Sequence, residues 1–141
     1  MWRFLSITAA TALAAAVAAA TPLTGKPSAL MSSKAITPGS WNVVFDDGSS
    51  HRICLANIEP LIQLAHAGPS CSRFVIQDER DRATVHYTCP GNGWGRTSIV
   101  IETPRLVRIS SQGIAARTPF AFDAEARRVG ECQGSRPRQP N

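Results

Sequence analysis

Large apolar residues alternate with polar ones through much of 38–132, the period-two pattern of half-buried strands. In Trp41-Asn-Val-Val-Phe45 the large residues fall at Trp41, Val43 and Phe45, and Asp46-Asp47-Gly48-Ser49 then supplies hairpin-turn chemistry. The return strand is His51-Arg-Ile-Cys54. A tight turn at Asp47-Gly48 predicts Trp41 opposite Cys54, an aromatic ring against a half-cystine. Cys71 to Cys89 predicts a second hairpin, with the polar middle Asp78-Glu79-Arg80-Asp81-Arg82 between Phe74-Val75-Ile76 and Val85 with Tyr87. Centring that turn on Arg80 sets Val75 against Val85 and Cys71 against Cys89. Thr97 to Thr103 is rich in β-branched residues, Pro104-Arg105 breaks it, Leu106 to Ile114 returns, and Pro119 to Val129 is a last extended segment.

A different period appears once. Ile58, Leu61, Ile62 and Ala65 share one face at helical spacing, which predicts a helix over Asn57 to Ala67. Asn57 is an N-cap type, Glu59 and Pro60 suit a first turn, and Gly68-Pro69 ends the segment. The expected fold class is therefore all-β with one short α-helix. It is mainly an antiparallel meander of about seven strands, a partly closed sheet or small barrel.

The flanks are different in kind. Met1 to Ala20 carries Arg3, an apolar run from Phe4 to Val17 and the small-residue stop Ala18-Ala19-Ala20, the layout of a cleaved export signal. Residues 21–37, rich in Thr, Ser, Pro and Ala, are expected to be a flexible linker, and 133–141 a disordered tail. The β domain is thus 38–132. Whether the signal is removed or kept as an anchor stays open, but the mature chain is expected to hold no membrane span. The expected localisation is periplasmic or secreted.

Four cysteines behind such a signal are expected to be a disulfide framework. The hairpin register favours Cys71–Cys89, which leaves Cys54–Cys132 to close nearly the whole domain. A domain this small buries only about 60–65% of its unfolded surface, so the staples have a structural task.

The chain carries a net charge of +5, nearly all of it from scattered arginines. In an exported protein that distribution points away from nucleic acid and toward anionic lipid, envelope polysaccharide or an envelope protein. His51-Arg-Ile-Cys54 and His86-Tyr-Thr-Cys89 both read H-x-x-C, yet on a strand residues three apart face opposite ways, so no metal site is expected. Gly91-Asn-Gly93-Trp-Gly95 precedes a strand, which makes it a turn with Gly95 as a bulge rather than a phosphate loop, and no cofactor is expected. Asp46, Asp47, Asp78, Glu79 and Asp81 fall in turns, where such residues act locally. No nucleophile has a recognisable setting, so no catalytic residue is expected. Trp94, a loop tryptophan, and the neighbouring Arg96 are the candidate binding pair: a guanidinium fork for carboxylate or phosphate beside a broad indole.

Ile36-Thr-Pro-Gly39-Ser-Trp41, the cysteine order, Tyr87-Thr-Cys89 followed by glycines, and Arg127-Arg128-Val-Gly130-Glu-Cys132 resemble the domain-of-unknown-function family 3617. The likeness covers about Ile36 to Cys132. It implies a small exported β domain of Gram-negative bacteria with paired cysteines, and it brings no activity. The function expected from these readings is a non-catalytic binding module for a lipid, an envelope component or a protein. A small periplasmic inhibitor or envelope-stress protein, or a hydrolase with an unrecognised site, are the alternatives.

Overall fold

The computed structural model describes residues 29–68 and 70–133. The expected signal, residues 21–28 of the linker and the tail from 134 onward lie outside the described residues.

Seven strands form one sheet: β1 (Gly39–Phe45), β2 (Ser50–Leu55), β3 (Ser72–Asp78), β4 (Arg82–Cys89), β5 (Gly93–Thr103), β6 (Leu106–Ala115) and β7 (Thr118–Gly130). Their spatial order is β2-β1-β7-β6-β5-β4-β3, and every neighbouring pair is antiparallel. β3 to β7 is the expected meander. The first hairpin instead docks beyond β7, so the chain from β2 must cross to the opposite edge to begin β3. That crossing carries the short helix α1 (Glu59–Ile62) and a 3-10 turn at Leu64–His66.

The crossing segment covers one face, here called the inner face. Cross-strand register aligns Trp41 and Val43, Ala124 and Ala126, Val107 and Ile109, Ile99, Ala83, Val85 and Tyr87 on it, all buried. Ile58, Leu61 and Ile62 pack down onto this layer, and the Thr97 hydroxyl donates to the Ile62 carbonyl at 2.6 Å. The sheet does not close, because β2 and β3 are not paired with each other.

The helix is shorter than its apolar spacing predicts. Gln63 leaves helical geometry (φ −123°, ψ 45°), and the last turn tightens so that His66 becomes buried. Its ring explains the break. Nε2 donates to the Asn92 carbonyl at 3.2 Å, and Nδ1 lies 3.1 Å from the Tyr87 hydroxyl, which donates to it in that tautomer. Asn57 is not the N-cap, which is Ile58; its side chain accepts from the Glu59 amide two residues on, an Asx turn that leads into the helix.

Three further expectations need correction. The first hairpin turns on residues 46–48, with Gly48 at φ 82° donating to the Phe45 carbonyl. A three-residue loop with a left-handed glycine shifts the pairing by one position, so Trp41 faces Ile53 and Cys54 faces Ser40. Cys54 therefore lies on the outer face. Second, β5 begins at Gly93, which places Trp94 within a strand; Gly95 is regularly paired, opposite Tyr87 and Gly113, and is no bulge. A Cβ at Gly95 would stand 2.4 Å from the Tyr87 hydroxyl, so glycine there makes room for the buried ring. Third, Asp78 ends β3 rather than sitting in a turn, and its carboxylate accepts the Met31 amide at 2.9 Å. That bond holds a 3-10 turn at Met31–Lys34, with Leu30 and Ile36 buried in the core, so the described end of the expected linker is part of the fold.

Both expected disulfides are present, Cys54–Cys132 and Cys71–Cys89. They suit an oxidising, extracytoplasmic environment. No helix among the described residues is long and apolar enough to cross a membrane.

Candidate functional site

The outer face has no covering layer among the described residues, and its side chains come from alternate positions of the same strands. Trp94 and Arg96 stand two residues apart on β5, so both point outward. Register brings in two residues that the sequence pattern did not single out for binding. Arg96 lies opposite His86 on β4, and His86 lies opposite Phe74 on β3. The His86 ring stacks on Trp94 at 5.4 Å between centroids. Phe74, the most exposed large apolar residue described, is 69% exposed. Arg96 forms no ion pair among the described residues. The result is an aromatic row across three strands with the Arg96 guanidinium in it.

Further along the same face, β1, β7, β6 and β5 enclose a shallow trough of about 800 Å³. Val44, Val100 and Val129 give it apolar walls, each 41–50% exposed. Arg108 and Arg127 also line it, paired with Glu102 and Glu125, and Asp46 and Asp123 stand on its β1–β7 side. Ser98 and Val100 extend the outward positions of β5 from Arg96, so the trough and the aromatic row share one strand. Val100 had a signal in the sequence: in Ile99-Val-Ile101 a third apolar residue interrupts the alternation. Phe74 had a similar signal in the run Phe74-Val-Ile76, but nothing in the sequence joined it or His86 to Arg96, because that meeting depends on pairing between strands.

Two other arrangements bring chemically capable side chains together. His66, Tyr87, Thr97 and Ser111 form a buried polar chain in which Thr97 and Ser111 oxygens lie 2.7 Å apart. Burial pushes the Tyr87 hydroxyl pKa up, while hydrogen bonding with the neighbouring Ser111 and Thr97 side chains acts the other way. Tyr87 is fully buried and His66 2% exposed, so the chain is sealed from substrate and serves the fold. A cleft between β2 and α1 holds His51 and Glu59, but the Arg73 guanidinium pairs with that carboxylate. Each H-x-x-C histidine faces away from its own cysteine, as strand geometry requires: His51 is inward and Cys54 outward, His86 outward and Cys89 inward. Among the described residues no group of three or more His, Cys, Asp and Glu side chains could hold a metal ion.

Asp47 does local work in its turn. Its carboxylate accepts the Ser49 amide at 2.7 Å, and hydrogen bonds from Ser49 lower its pKa. Comparison with protein-family models, with curated proteins and with solved structures finds no match to this chain.

Proposed function

We propose that this protein is a non-catalytic binding module of the periplasm or the secreted space, and that it takes an anionic lipid of the envelope on its open sheet face. The carrying observation is the outer-face trough, apolar at Val44, Val100 and Val129, which adjoins along β5 an Arg96 that has no ion pair among the described residues. Its volume of about 800 Å³ falls within the roughly 300–1,000 Å³ of small-molecule sites. Covering those valines with an acyl chain gains about 25 cal/mol per Å² of apolar surface removed from water. Asp46 and Asp123 repel an anion from the β1–β7 side. The headgroup is thereby directed to Arg96, where the guanidinium supplies paired donors and Trp94 an amphipathic ring. Membership of family 3617 belongs to the same proposal and adds no activity to it.

Sedimentation of the purified, oxidised protein with anionic and with zwitterionic vesicles tests the reading. Trp94→Ala with Arg96→Ala should weaken retention on anionic vesicles about tenfold or more, since a charge-assisted hydrogen bond contributes about 1.5–3 kcal/mol. Val100→Asp, which puts a carboxylate into the trough, should do the same. Melting temperatures should barely move in either variant. Retention unaltered by all of these changes, or turnover of an ester, peptide or glycan by the purified protein, would overturn the proposal.

A further inference from the structure

Among the described residues β3 is a terminal strand, bonded through its ladder to β4 alone. It presents three consecutive large apolar residues to solvent: Phe74 at 69%, Val75 at 43% and Ile76 at 46% exposed. Edge strands are ordinarily guarded by lysine, proline, charge or a covering segment. The opposite edge, β2, follows that rule, with Arg52 in its middle, Leu55 buried and Cys54 tied to Cys132. Ser72–Asp78 contains neither lysine nor proline. Its guards are Arg73 and Asp78 toward its ends and a bulge between them, where pairing with β4 shifts between Val75 and Gln77 and Ile76 has no partner on β4.

We propose that β3 pairs with β3 of a second copy of this chain, antiparallel and about a two-fold axis, so that one sheet runs through both. Charge complementarity selects this occupant, because β3 carries Arg73 near one end and Asp78 at the other. β4 itself passes the bulge without losing alternation, and a second copy carries the same bulge at the same place. With Val75 opposite Ile76 of the second copy, the two bulges face each other and both strands keep step. In that register Phe74 meets Gln77, and both are outer-face positions, being paired to His86 and Thr84 of β4. Arg73 meets Asp78, and both are inner-face positions, being paired to Tyr87 and Ala83. Opposite charges therefore face each other at both ends, and no like charges meet. Arg73 keeps its ion pair with Glu59, and the Asp78 carboxylate, bonded to the Met31 amide, has acceptor positions to spare.

The geometry has a functional consequence, which rests on the lipid reading above. A two-fold axis perpendicular to the sheet leaves both outer faces on one side. The two Arg96 residues would then be separated by five strand spacings, about 24 Å at roughly 4.8 Å each. A dimer would engage one membrane surface at two points.

The test is sedimentation velocity of the oxidised full chain over a rising concentration series, with hydrogen exchange of the β3 amides read in parallel. A dimer is expected, with slowed exchange in β3 as it forms. Ile76→Lys should return the monomer without loss of melting temperature, and Val75→Thr provides a second, milder variant should the lysine disturb the fold. A monomeric wild type at every concentration, or a dimer indifferent to both substitutions with unprotected β3 amides, overturns the proposal. On anionic vesicles Ile76→Lys should lose about a hundredfold in retention through lost bivalency, although its added charge alone would favour binding. Should the lipid reading fail instead, neither form is retained while the dimer persists.

Discussion

The inner and outer faces of this sheet are made by the same strands under different constraints. Toward the helix, Trp41, Val43, Val85, Ile99, Val107 and Ala126 are almost completely buried, and the polar groups among them, His66, Tyr87, Thr97 and Ser111, bond to one another or to backbone. On the other side Val44, Val100 and Val129 stay half exposed among arginines and carboxylates, and Arg96 has no acidic partner among the described residues. One covered face suffices for a stable antiparallel sheet. Groups on the second face are thus free of the core's demand for complete pairing, and they can await partners from outside the chain.

The contrast can be broken most forcefully at Trp41. Trp41→Ala empties a fully buried site and should cost about 3–5 kcal/mol in urea unfolding, far more than Trp94→Ala on the other face. Similar losses for the two tryptophans would erase the distinction.

The disulfides come next. Cys132→Ser opens a crosslink spanning 78 residues and should lower stability by somewhat over 4 kcal/mol, whereas Cys71→Ser opens one of 18 and should lower it by about 3 kcal/mol. Denaturant midpoints in the reverse order would show that strain or residual structure outweighs loop entropy.

Tyr87→Phe sharpens the comparison further, since it removes one hydroxyl from the inner polar chain. A loss of about 1–3 kcal/mol is expected at neutral pH, because His66 Nδ1 is left buried without its donor. The raised Tyr87 pKa also sets a sign. The stability it contributes is fully present below the unfolded value of about 10 and is lost as pH rises through the folded value. Wild type should therefore weaken at alkaline pH more steeply than Tyr87→Phe, as melting curves in that range would reveal.

The smallest effect belongs to the exposed hairpin turn. The pKa of Asp47 is lowered by Ser49, so its contribution is present above the unfolded value of about 4 and lost as pH falls through the folded value. Asp47→Asn should flatten that part of the acid limb slightly and leave neutral stability almost unchanged.

Most of the strands were legible because alternation is a local property. Val43, Val85, Ile99 and Val107 announce an inward face whatever lies across from them. The Cys71–Cys89 pairing was legible for the same reason, as a hairpin relates its two strands through one short connection. The candidate site was legible only in part. Trp94 and Arg96 stood out by residue type and spacing, but Trp94 was expected in a loop, because the glycines around it look like a turn. Gly95 is there for the Tyr87 ring, a contact that no local pattern encodes.

By itself, then, the order of residues determined the faces of most strands, the cysteine pairing and the oxidising environment that such pairing suits. Tertiary structure alone decided that the first hairpin docks beside β7, that the helix breaks at Gln63 for the sake of His66, and that Phe74 and His86 join Arg96 on one surface. It also moved Cys54 to the outer face through a single extra loop residue. The physical reason is common to all of these. Side-chain alternation is written residue by residue, whereas strand order and register are settled by how the whole chain can bury its apolar face while leaving no buried hydrogen-bonding group of the backbone unpaired.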